Sequence, residues 1–179
     1  MRSRLIALAG TVAAALLGAS SLMAHDDDHG KDRDGMFRVS AKLEGFQEVP
    51  AVSSTGHAFF SAVVDTKANT ITWHLKFDGI EGGHTLQSHV HFGQLSVNGG
   101  VSFFLCSNLG NGPAGTQACP DVSGDLNGVI TPDLIVGPNG QGIEPGSFAE
   151  IVAAMRDGTA YANIHSDRWQ GGEIRGQLH

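Results

Sequence analysis

From residue 37 onward the chain alternates apolar and polar positions with a period of two. Phe37, Val39, Ala41 and Leu43 are separated by Arg38, Ser40 and Lys42, the pattern of a strand with one buried and one solvated face. Ile71, Trp73, Leu75 and Phe77 repeat it against Thr72, His74 and Lys76, and a more continuous apolar run covers 58–64 ahead of a turn at 65–69. Further strands are expected over 87–92, 101–105, 159–165 and 173–178, each bounded by Gly, Asn or Pro clusters. One helix is predicted. Ser147 and Glu150 form an S-x-x-E start after Pro145-Gly146, and Phe148, Ile151, Val152 and Met155 recur at helical spacing. Gly158 stands where the helix should end. Seven or so short strands, Gly-rich turns and one short helix predict an all-β, Greek-key antiparallel β-sandwich formed by a single domain over 37–179.

The residues ahead of that domain obey another logic. Residues 1–24 carry Arg2 and Arg4, then an apolar stretch, then small residues up to Ala24, which predicts a secretory signal peptide cleaved after Ala24. The apolar stretch is interrupted by Gly10, Thr11 and Gly18 and is too short for a membrane anchor. Residues 25–36, beginning HDDDHGKDRDG, are polar and predict a flexible His/Asp-rich leader. Cleavage lowers the basic count from 11 to 9 against 18 acidic residues. An acidic domain has no global field to attract nucleic acid or anionic lipid, so neither is expected as a partner, and no membrane attachment is expected once the signal is removed. A periplasmic or secreted location follows, and there the only two cysteines, Cys106 and Cys119, are expected to pair across the loop SNLGNGPAGTQA.

The sharpest chemical feature is His89-Val90-His91. Residues two apart on a strand point to the same face, so the two imidazoles converge and make half of a copper or zinc site. A solvated surface pair is the competing reading, and a third histidine on another strand decides between them. Candidates are His165, His57, His74, His84 and His179. His165 shares a face with Tyr161 and Asn163, His57 opens a strand, His74 faces away from the apolar set of its strand, and His84 lies in a Gly-rich loop. Spacing alone does not choose among them.

LEGFQEVPAV, TITWHLKF, HVHFG and the ending GTAYANIHSDRWQGGEIRGQL resemble the CHRD domain, a module of secreted proteins. The resemblance covers about 37–178 and departs at Trp169-Gln170-Gly171, where many members carry a proline-containing turn. It implies an extracytoplasmic β-sandwich and no settled activity. The His-Val-His-Phe-Gly segment is also similar to the copper-ligand strand of copper–zinc superoxide dismutases, with His165 matching the late ligand. No counterpart of the zinc loop is present, so that likeness implies at most a copper-only site.

Two functional readings stand. In the first, His89, His91 and His165 bind copper with a fourth ligand from His57, His74 or His84, and a Cu(II)/Cu(I) cycle dismutes superoxide. Arg175 is the candidate catalytic residue as an anion-guiding charge, unless it pairs across the sheet with an acid such as Glu173. In the second, the sandwich is a non-catalytic module that offers its loops, notably 110–128, to a protein partner, and the histidines are structural. His25 and His29 add a separate metal-scavenging reading for the leader. Glu44 and Glu48 are explained by a strand end and a turn, and no G-x-S-x-G, H-E-x-x-H or phosphate-binding loop occurs.

Overall fold

The computed structural model describes residues 34–179. The expected signal peptide and leader residues 25–33 therefore lie outside the described residues. Eight strands form one antiparallel sheet: β1 (Met36–Glu44), β2 (His57–Asp65), β3 (Thr70–Asp78), β4 (Thr85–Phe92), β5 (Gly100–Ser107), β6 (Gly124–Ile130), β7 (Ala160–Ser166) and β8 (Ile174–Gln177). Their order is β5-β4-β7-β8-β1-β2-β3-β6. The single helix, α1 (Phe148–Arg156), lies between β6 and β7. The all-β expectation with one short helix holds, and the sandwich-like body is this one sheet curled nearly into a barrel.

Alternation builds the first half directly. β1 buries Phe37, Val39, Ala41 and Leu43, and β3 buries Ile71, Trp73, Leu75 and Phe77. Both pair with β2, in registers such as Ala41↔Phe60 and Phe60↔Leu75, so the apolar sets fall on one face. The β2–β3 turn is fixed by Asp65, whose Oδ1 accepts from the backbone N–H groups of Lys67 and Ala68 at 2.9 Å each, an Asx turn.

β6 departs from expectation, because residues 124–128 belong to a strand and not to a loop. Only Leu126 and Ile130 of this strand are buried. The expected third apolar position is Gly128, paired with Trp73, where a Cβ would fall 2.8 Å from Trp73 Cζ2. The indole occupies that space, so glycine is required and the apolar period is broken in the sequence. α1 starts after Ser147 as predicted, but Ser147 makes no side-chain capping bond. Gly158, at φ 69°, supplies the left-handed residue after the helix end.

The edge strands β5 and β6 approach each other, and Gln117 bridges them. Its Nε2 donates to Leu105 O and to Asn127 O, both at 3.2 Å. Gln117 is held there by the loop that the Cys106–Cys119 disulfide closes over a sequence separation of 13. The expected pairing is thus present, and it fastens the seam of the curled sheet. Replacing both cysteines by alanine should cost about 3 kcal/mol, the loop-closure contribution for a loop of this length. Chemical denaturation of the variant under non-reducing conditions checks this; an unchanged midpoint would show that the loop holds without the bridge.

Candidate metal centre

β7 is buried on both faces along its whole length. Ala160, Ala162 and Ile164 belong to the hydrophobic core, and so Tyr161, Asn163 and His165 face the other way. β4 lies beside it in the register Gln87↔His165, His89↔Asn163 and His91↔Tyr161. This pairing brings His89, His91 and His165 onto one polar face. Their ring centroids are 4.5 Å apart for His89–His91, 4.5 Å for His89–His165 and 6.1 Å for His91–His165. Each offers one ring nitrogen such that all three lie within 4.8 Å of one another.

The three rings are only 2 %, 8 % and 6 % exposed, in the order His89, His91, His165. Two are oriented by backbone carbonyls: His91 Nδ1 meets Gly99 O at 2.9 Å and His165 Nδ1 meets Gln170 O at 2.8 Å. A carbonyl only accepts, so each Nδ1 carries the hydrogen and each Nε2 holds a lone pair. His91 Nε2, His165 Nε2 and His89 Nδ1 are buried without any hydrogen-bond partner. Leaving a buried polar atom unsatisfied costs about 1–3 kcal/mol, and here three such atoms come from one cluster. A metal ion holding three imidazoles at about 2.0–2.1 Å would satisfy lone pairs of this kind with a closure of roughly 1 Å among the rings.

Burial also keeps the rings neutral. Desolvation lowers the proton affinity of all three; His91 is brought down to about 4, and His89 lower still, with His165 and His91 adding like-charge repulsion. Neutral imidazole is the ligand form.

Three segments cover this face. Residues 45–50 bring in Glu48, whose Oε1 accepts from Asn163 Nδ2 at 2.5 Å. Burial pushes the Glu48 carboxyl up to about 7, against the opposing pull of Arg175. Residues 94–99 carry Gly99, whose N–H donates to the Tyr161 hydroxyl at 3.1 Å. Residues 168–172 carry Gln170, and they end at Gly172, where a Cβ would fall 2.6 Å from Glu48 Oε1. The Tyr161 ring stacks on His91 at 4.6 Å and 3°.

The other expected ligands are elsewhere. His57 is exposed on β2 and its Nδ1 lies 3.2 Å from Thr55 O. His74, on β3, has Nε2 2.6 Å from Asp125 Oδ1, and His84 has Nδ1 2.5 Å from Asp121 Oδ1. His179 pairs through its backbone with Ser40. None of the four joins the cluster. Arg175 is buried at 1 % exposure, with its guanidinium 3.4 Å from the Tyr161 ring centroid. It makes no ion pair with Glu173, whose carboxylate accepts instead from Ser54 Oγ and from the N–H groups of Glu81 and Gly82. Glu48, Gly99 and Gln170 were not singled out as site residues by sequence reasoning. Two of them act through carbonyls, which any residue possesses, and Glu48 reads as part of a turn.

Residues 39–178 match the CHRD domain family, and the chain belongs to that family. Comparisons with curated proteins and with solved structures return no match.

The titrations set the pH dependence of the metal-free domain. Three histidines have folded-state proton affinities below the unfolded value, so unfolding takes up protons and stability falls as pH drops below about 6.5. Glu48 acts oppositely, since burial pushes its carboxyl up to about 7 from the ordinary value of 4.5, and stability is lost as pH rises through that window. Between 4.5 and 6.5 three groups oppose one. Melting temperature should therefore fall from pH 6.5 toward pH 4, and Glu48→Gln should be more stable than the parent above pH 7. A flat profile in both proteins would contradict the burial argument.

Proposed function

We propose that this CHRD domain is an exported copper-binding protein that holds the ion on His89, His91 and His165. The observation that carries the reading is the set of three buried imidazole nitrogens, one on each ring, without partners. A structural role for the histidines, as an interaction module would require, leaves those nitrogens unsatisfied. An all-imidazole ligand set suits copper, which stands at the top of the divalent affinity order, and an exported protein meets copper outside cytosolic buffering. The disulfide fits an oxidising compartment, and among the described residues no helix is long and apolar enough to cross a membrane.

Bound copper supplies one-electron redox chemistry, and the reaction we assign to it is superoxide dismutation. The chain's part is to hold three neutral donors, with the tautomers of His91 and His165 fixed by Gly99 O and Gln170 O. Arg175 does not guide anions from the surface in this reading, because it is buried behind Tyr161.

Titration of the tag-free domain lacking residues 25–33 should show one tightly bound copper. His89→Ala or His165→Ala should weaken it by at least about 100-fold, whereas His57→Ala and His74→Ala should leave it unchanged. Superoxide decay should accelerate with the loaded parent and not with the His89→Ala variant. Undiminished copper binding in the double variant His89→Ala/His91→Ala would refute the site. One bound copper without dismutation would leave the protein a copper carrier.

A further inference from the structure

Arg175 is a fully buried cation with no carboxylate in direct ion-pair contact among the described residues. Its Nη1 donates to Asn98 Oδ1 at 3.2 Å, and its Nη2 donates to Gln94 O at 3.2 Å, Val97 O at 2.9 Å and Gln177 Oε1 at 3.5 Å. Every one of these acceptors is neutral. Among the described residues no carboxylate lies within ion-pairing distance of it. An unpaired buried charge is costly, and the fold elsewhere surrounds buried Glu173 with donors. Because these guanidinium N–H groups are committed to the 94–98 loop and Gln177, they are not free to grip an anion. What the charge has left to act on is the cluster one ring away: the guanidinium lies over Tyr161, and Tyr161 stacks on His91.

The Arg175 charge thus stands one aromatic ring away from His91, 3.4 Å from the Tyr161 centroid, which is itself 4.6 Å from the His91 centroid. A fixed positive charge repels a nearby cation in proportion to the cation's valence. The three ligands are neutral, and no carboxylate is among them to offset a divalent charge. We propose that the triad prefers a monovalent soft cation, Cu(I), over divalent ions, and that Arg175 is the fixed charge that sets this preference. The proposal rests on the triad being a metal site. One extra unit of charge at a separation on the order of 10 Å, at an effective dielectric near 20, corresponds to a preference of roughly tenfold or more.

The test compares Cu(I), kept reduced with ascorbate, with Zn(II) at pH 6, using competing chelators on the disulfide-intact domain. Arg175→Met should lower the Cu(I)-over-Zn(II) affinity ratio by about tenfold or more, and Arg175→Lys, which keeps the charge but not the planar fork, should preserve most of it. Equal losses for both ions in Arg175→Met, or a Lys variant that falls as far as Met, would overturn the proposal. Should the Met variant fail to fold, the parent supplies a second route. Glu48 shares its buried surroundings with Arg175, Tyr161 and Asn163, and it ionises as pH rises through about 7. The ratio should therefore drop between pH 6 and pH 8 in the parent and stay level in Glu48→Gln; a parallel response of the two proteins would count against it. Failure of Cu(I), Ag(I) and Zn(II) all to bind would instead remove the metal site itself.

Discussion

The polar face of β7 has to be covered, because the strand's other face already belongs to the core. A strand buried on both sides is usually apolar on both, yet Tyr161, Asn163 and His165 sit on the outer one. Every group on that face must then find a partner in the segments lying over it. Asn163 takes Glu48, His165 takes Gln170 O, and on the neighbouring strands His91 takes Gly99 O and Arg175 takes the backbone of 94–97. Each side chain ties down one piece of the cover. The cover in turn fixes the tautomers of His91 and His165, and the nitrogens left over converge. The convergence of those nitrogens is thus a by-product of how the fold satisfies its second buried face.

Electrostatics separates this site from the rest of the molecule. Glu173 shows how the fold treats a buried charge used for architecture: its carboxylate receives a hydroxyl and two backbone N–H groups and links the loops around Ser54 and Gly82. Arg175 is likewise held by neutral partners, the carbonyls of Gln94 and Val97 and the side chains of Asn98 and Gln177, but its guanidinium also stacks over the Tyr161 ring toward the triad. Glu48, the carboxyl that burial leaves only partly ionised near neutrality, is the nearby group that modulates it.

Much of this was legible along the chain. The strands of β1 and β3 are written in strict alternation, and the His89/His91 pair follows from the two-residue period alone. His165 was recognisable as a polar-face residue of its strand, but its pairing beside β4 is a matter of sheet order, which local pattern does not encode. β6 was hidden because Gly128 yields its apolar position to the Trp73 ring. The backbone acceptors at Gly99 and Gln170 leave no trace in residue type. Arg175 carried a recognisable charge whose surroundings, and hence its role, appear only once β8 is placed against Tyr161 and the 94–99 loop.

His91 and His165 are locked as Nδ1–H tautomers, and their Nε2 atoms are left without a partner. Nitrogen-15 NMR of the histidine side chains, recorded on the metal-free domain at pH 7 and again after one equivalent of Ag(I), tests it most directly. Expected are neutral rings for His89, His91 and His165, protonated at Nδ1 in the latter two, and a shift of the triad's unpartnered nitrogens on adding the ion while His57, His74 and His84 stay still. Triad resonances that remain unmoved, or a response confined to the exposed histidines, would contradict it.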